Sequence, residues 1–165
     1  MKESNCILIA ELGATNARIG LTMDGTALIQ SKEYLLTDFS TVDHLFEAYF
    51  EEIKLKATRG IIGVAAPVLG EKVRFTNNNI MFNQRTLKDK IFSKGLKVIN
   101  DLELQAYALE DLGDEEVLRI GEVEEEKKGS KVLISPGSGL GLAGIVDKQI
   151  IFTEGGHLNI PSDSQ

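Results

Sequence analysis

Three groups of residues in this 165-residue chain have types and spacing suited to chemistry. The first is Ala10-Glu11-Leu12-Gly13-Ala14-Thr15-Asn16-Ala17-Arg18. It follows an apolar run, Cys6-Ile7-Leu8-Ile9, and leads into a second strand-like run, Ala17 to Met23. A turn built from a carboxylate, a glycine and small polar residues can aim several backbone N–H groups at one point, since Gly13 tolerates angles that a side chain forbids. Convergent N–H groups make a nest for anions such as phosphate. One such turn is equally compatible with a plain hairpin. A second copy changes the balance: Val132-Leu133-Ile134-Ser135, then Pro136-Gly137-Ser138-Gly139-Leu140-Gly141, then the strand-like Leu142 to Val146. Two such turns facing each other could hold a polyphosphate from both ends. The second group is Asn100-Asp101, where a strand hands over to a helix. An aspartate there, with an unperturbed pKa of ~3.9, is ionised at neutral pH and can orient a hydroxyl nucleophile and accept its proton late. The same pair could simply cap the helix. The third is Glu154-Gly155-Gly156-His157, an acceptor and a donor/acceptor of the kind that vicinal hydroxyls need.

The elements that position these residues follow from periodicity. Strands are expected over 5–10, 17–23 and 26–36, paired as an antiparallel meander, with Asp24-Gly25 as a two-residue hairpin turn. Ser40 is a good helix N-cap. Behind it Leu45, Phe46, Tyr49, Phe50 and Ile53 recur at helical spacing, which predicts a helix near 41–56. Gly60 to Pro67 reads as a buried strand, reached by a right-handed crossover that makes its pairing parallel. A short strand at Lys72 to Thr76, a loop through Asn77, Asn78 and Asn79, a helix over 86–92, a strand over 96–99 and a helix over 102–112 complete the first part. The charge-dense stretch Glu115 to Lys128 reads as a solvated loop. After it come the second apolar strands, an Asp147-Lys148 turn and a strand over 149–153. This is a mixed α/β layer fold of type βββαβαβα, divided at 112: a small domain over 1–112 and the beginning of a second over 113–165.

Composition narrows the class. The chain is 42% hydrophobic and 26% charged, with a net charge of −7, ordinary for a folded domain. The negative field disfavours nucleic acid and anionic membranes as partners. The single cysteine, Cys6, sits in an apolar run, so no disulfide framework or Cys/His metal pattern exists. No stretch approaches the ~18 apolar residues of a membrane span, and the first five residues lack the apolar core of a signal peptide. A cytoplasmic location is expected. Gly139-Leu-Gly141-Leu-Ala-Gly144 matches the dinucleotide fingerprint formally, but it opens a strand rather than a helix. A P-loop is absent.

In chain order, the chain carries Glu11-Leu-Gly-Ala-Thr-Asn-Ala-Arg18, Gly63-Val-Ala-Ala-Pro67, Phe75-Thr-Asn77, Ile99-Asn-Asp101 with Gln105-Ala-Tyr-Ala-Leu109, Gly137-Ser-Gly-Leu-Gly141 and Glu154-Gly-Gly-His157. Together they resemble the bacterial glucokinases of the actin/hexokinase-like (ribonuclease H-like) sugar kinase superfamily. The resemblance implies phosphorylation of glucose at its 6-hydroxyl by ATP. It implies that Ala10, Glu11, Leu12, Gly13, Ala14 and Thr15 hold the phosphates, with Gly137, Ser138 and Gly139 opposite. It implies Asp101 as general base, Asn100, Glu154, His157 and Asn77 as sugar contacts, and Mg²⁺ on the phosphates with the Glu11 carboxylate nearby through water. Kinases of this kind often form homodimers. Three positions depart from the pattern: Glu11 stands where aspartate is usual, Ala14 where a second glycine is usual, and Ile80 where tryptophan is frequent. The zinc cysteines of the repressor-type branch are absent. Family members are much longer, so this chain is expected to be an amino-terminal portion with little turnover alone. The rival reading is a non-catalytic sugar-binding or regulatory module that keeps Asn100, Glu154 and His157 without needing Asp101.

Overall fold

The computed structural model describes residues 2–75, 80–109, 111–121, 129–136, 140–147, 149–153 and 155. The chain divides into two compact units, Met1–Asp101 and Leu102–Gln165.

The first unit is built on a five-stranded sheet in the order β3-β2-β1-β4-β7. Its strands are β1 (Lys2–Leu12), β2 (Asn16–Thr22), β3 (Ile29–Leu35), β4 (Leu55–Val64) and β7 (Gly95–Asn100). β1, β2 and β3 form the expected antiparallel meander. β4 then pairs parallel to β1, and β7 parallel to β4. Helix α1 (Val42–Ile53) lies between β3 and β4, and α2 (Gln84–Lys90) precedes β7. A two-stranded ribbon of β5 (Lys72–Arg74) and β6 (Met81–Asn83) is inserted after β4.

Alternation along β1 sends Cys6, Leu8, Ala10 and Leu12 to one face, where they are buried. They share a core with Leu45, Phe46, Tyr49 and Phe50 of α1 and with Leu87 of α2. Glu11 points to the other face. Phe92 is fully buried and meets Phe46 edge-on at 5.3 Å. It lies against Gly60: a Cβ there would come within 2.8 Å of the ring.

The second unit opens with α3, whose range is Asp101–Leu109, and continues with the antiparallel sheet β10-β9-β8. Its strands are β8 (Lys131–Pro136), β9 (Leu140–Val146) and β10 (Gln149–Thr153). Ala106 of α3 packs with Ala143 and Ile145, flanked by Leu102, Leu109 and Leu133. The compact units thus part after Asp101, whereas the sequence reading divided the chain at 112. The reason is that the apolar side of α3 belongs to the second sheet.

Several local expectations differ from the structure. Thr41, not Ser40, caps α1: its hydroxyl accepts from the His44 N–H, while the Ser40 hydroxyl meets His44 Nδ1 at 2.9 Å. Helix α1 stops at Ile53 because Lys54 turns left-handed at φ 59°, and β4 begins at once, five residues before the expected start. Asp24-Gly25 is not a two-residue turn. It lies in a longer loop where the Thr22 hydroxyl accepts from Gly25 N–H and the Asp24 carboxylate accepts from Thr26 N–H and hydroxyl. Strand β6 was not expected, since three residues carry no readable period. α2 starts two residues early because Asn83 caps it, accepting from Thr86 N–H. The Asp147-Lys148 turn does join paired strands, with Val146 opposite Gln149 and Asp147 at φ 50°.

Two outcomes are expected. Gly60→Ala forces a rigid, surrounded ring to move and should cost about 1–3 kcal/mol in chemical denaturation. Burial and then hydrogen bonding to the Glu52 carboxylate, at 2.6 Å, push the Tyr34 phenol far up. Burial first, then nearby negative charge, pushes Tyr49 up to about 12. Both phenols bind their proton more tightly when folded, so their contribution to stability is intact below pH ~10 and is lost as pH rises towards 12. Alkaline melts should show this fall, and Tyr49→Phe should flatten it.

Candidate functional site

The predicted hairpin turn and the predicted base lie at one edge of one sheet. Strand register requires it. Leu12 of β1 sits opposite Ala17 of β2 and Val64 of β4, and Val64 sits opposite Asn100 of β7. The parallel strands β1, β4 and β7 therefore finish together, with residues 13–15 following one end and Asp101 another. With neighbouring strands about 4.8 Å apart, the ends of β1 and β7 are roughly 10 Å apart, with β4 between them. The carboxyl ends of parallel strands are where α/β sheets take ligands.

Backbone contacts brace this edge. Ala65 N–H donates to Leu12 C=O at 2.9 Å, which ties the residues after β4 to the hairpin, and Leu36 N–H donates to Thr15 C=O at 2.8 Å. Asn100 is buried, and its Nδ2 donates to Ala66 C=O at 3.3 Å. The hydrogen bond fixes the direction of the amide immediately before Asp101, which is the first residue of α3.

The turn itself differs from the expected nest in one respect. Gly13 is not left-handed. Its N–H closes the turn by donating to Asn16 C=O at 2.9 Å, so that donor is already used. Glycine is favoured there by close approach instead, because a Cβ would lie 3.2 Å from the Asn16 carbonyl oxygen. Ala14 follows it, and Thr15 and Asn16 are exposed at the tip.

Glu11 occupies the next register row, Arg18–Glu11–Gly63–Ile99, on the face away from the core. Its carboxylate lies 3.5 Å from the Arg18 guanidinium, which also reaches Glu33 at 3.7 Å. Such an exposed pair contributes at most ~1 kcal/mol to stability; its effect is to steer the carboxylate. On the other side Gly63 places no side chain against it. The sequence reading gave no role to Arg18 or Gly63. Counting antiparallel register from the turn would have put Arg18 beside Glu11, but the β1–β4 pairing had no sequence signal.

Asn77, Gly137, Ser138, Gly139, Glu154 and His157 lie outside the described residues. Residues 137–139 connect β8 to β9, which pair antiparallel.

The sequence model of the glucokinase family matches residues 8–165. This chain belongs to the glucokinase family. A glucokinase of Chelativorans sp. (strain BNC1) is 33% identical over 93% of this chain and 47% of its own length. One from Helicobacter pylori (strain P12) is 30% identical over 92% of this chain and 48% of its own. The crystal structure of a glucokinase from an Antarctic psychrotroph superposes with a TM-score of 0.81 at 26% identity, over 98% of this chain and 53% of that one. The Balamuthia mandrillaris glucokinase in complex with glucose, at 19% identity and a TM-score of 0.72, shares the fold over 94% of this chain and 49% of its own. The chain spans about half the length of the curated relatives it matches. The mixed α/β fold with its βββαβ core is shared with that psychrotroph glucokinase.

Asn100→Ala removes a buried donor and leaves Ala66 C=O short of a partner, at a cost of about 1–3 kcal/mol. Asn16→Ala, at the exposed tip, should change stability by no more than ~0.5 kcal/mol. Urea titration of both variants checks the contrast.

Proposed function

We propose that the polypeptide carrying this chain transfers the γ-phosphoryl group of ATP to the 6-hydroxyl of glucose. The observation that carries the reading is the shared strand-end row, Leu12–Val64–Asn100, which brings the 13–15 turn and a carboxylate to one edge. Family membership supports the same chemistry, as do relatives named glucokinases.

In this reading the tip of the 13–16 turn and the Thr15 hydroxyl receive the phosphates. Asp101 holds the sugar hydroxyl in line with the γ-phosphorus and takes its proton as the bond to phosphorus forms and ADP leaves. A hydroxyl is a far weaker acid than a carboxylic acid, so the proton moves late and orientation is the larger service. Asn100, its amide fixed through Ala66, offers a hydrogen bond to a neighbouring sugar hydroxyl, with Asn77, Glu154 and His157 as further contacts. Gly137, Ser138 and Gly139 are the further phosphate contacts of this reading.

The donor set suits Mg²⁺. Among the described residues no cluster of three or more His, Cys, Asp or Glu side chains could hold a metal alone. Mg²⁺ in kinase sites typically uses one or two carboxylates with substrate phosphates and retained waters, and Glu11 is the carboxylate beside the turn. Bound there, the ion would offset phosphate charge, while Arg18 holds Glu11 in place. The reaction requires a compartment that contains ATP, and the cytoplasm fits.

The 165-residue chain alone should show little turnover. Joined to the carboxyl-terminal half of the Helicobacter pylori relative, it should release ADP in the presence of glucose and Mg-ATP. Asp101→Asn in that protein should lower kcat by about 10²–10⁴-fold with folding unchanged by circular dichroism. Full turnover by the Asp101→Asn protein would refute the assignment of the base.

A further inference from the structure

Asp24 is the only aspartate of the chain that is followed by glycine. That dipeptide is open to an internal rearrangement, because glycine has no side chain to shield its backbone nitrogen from the preceding carboxyl group. In it the Gly25 nitrogen attacks Asp24 Cγ. A C–N bond forms, the C–OH bond of the protonated carboxyl group breaks, and the hydroxyl leaves with the amide proton as water. The product is a five-membered succinimide. Water then opens the ring. Addition at Cγ restores aspartate, and addition at the main-chain carbonyl of Asp24 leaves isoaspartate, with the chain running through Cβ and Cγ. No reagent besides water takes part.

Asp24 and Gly25 lie in the loop that joins β2 to β3, and both are exposed. Gly25 is left-handed at φ 85°, and nothing lies within 4 Å of where its Cβ would stand. Neither burial nor crowding shields the pair. Two threonines engage both reacting groups instead. The Gly25 N–H donates to Thr22 Oγ1 at 2.9 Å, so the attacking nitrogen is turned towards β2. Thr22 is buried at the end of that strand, which makes its hydroxyl a fixed anchor. On the other side, Asp24 Oδ1 accepts from the Thr26 N–H at 3.0 Å and from the Thr26 hydroxyl at 2.8 Å. These two bonds, the N–H first, hold the carboxyl below the usual carboxylate range. The ionised form resists the attack, because it has no hydroxyl to lose.

We propose that Asp24-Gly25 is the site of aspartate isomerisation in this chain, and that Thr22 and Thr26 form a two-point clasp that slows it. The modification adds one backbone carbon to the loop at the far end of β2 from the 13–16 turn, about 20 Å away along the strand. The proposal is independent of the kinase reading.

Ageing the 165-residue chain at neutral pH and physiological temperature tests it without nucleotide or sugar. Isoaspartate is located by peptide mapping, as a peptide of unchanged mass with altered retention and backbone fragmentation. In the folded state, Thr26→Val and Thr22→Val should each form isoaspartate at position 24 about fivefold faster than the unsubstituted chain, the factor that one hydrogen bond of ordinary net strength supplies. Circular dichroism verifies that both variants fold. In guanidinium chloride the three chains should age nearly alike, and the unsubstituted chain should age faster there than when folded. Equal rates for the three folded chains would overturn the clasp, as would equal rates for the folded and unfolded unsubstituted chain. Isoaspartate that accumulates first at another residue of the folded Thr26→Val chain would overturn the site.

Discussion

The register of three parallel strands is the constraint on which the site depends. β1, β4 and β7 end in one row, and two hydrogen bonds lock the row beyond the strands. One runs from Ala65 to Leu12 and the other from Asn100 to Ala66. A one-residue slip of β7 would turn Asn100 to the other face and carry Asp101 along the strand axis by about 3.3 Å. The core resists such a slip. Leu8, Ala10 and Leu12 of β1 face the same way as Gly60, Ile62 and Val64 of β4 and Leu96 and Val98 of β7. Burial of these residues under α1 and α2 fixes every pairing at once. The position of one carboxylate at the edge is therefore set by packing far behind it, including the close fit of Phe92 on Gly60.

How much was legible in the sequence depended on the range of the interaction. The meander, α1, β7 and the strand-to-helix handover at Asn100-Asp101 follow from local patterns and were found. The antiparallel pairing of β8 with β9 was also found. The cap of α1 was displaced by one residue because Ser40 and Thr41 are both competent and only the entry angle of the chain chooses between them. The role of Gly13 was misread, because a glycine required for close approach looks the same in sequence as one required for a left-handed angle. Alignment of β1 with β4, and hence the proximity of the turn to Asp101, depends on residues some fifty positions apart and has no local signature. The allegiance of α3 to the second unit is another non-local fact, decided by Ala143 and Ile145.

The two units differ in the cores that their described residues build. In the first, both helices and the loops around Leu36 and Phe75 close the core. Among the described residues of the second, α3 packs on the sheet through Ala106, Ala143 and Ile145.

The most direct test of the central claim is paramagnetic broadening of amide signals by Mn²⁺-ATP in the isotopically labelled 165-residue chain. A nucleotide held at the common strand edge should broaden the signals of Gly13, Thr15, Gly63 and Asp101 together, leaving those of α1 sharp. Broadening confined to acidic side chains of α1 such as Asp43 and Glu47, with the 13–15 turn and Asp101 unaffected, would contradict it.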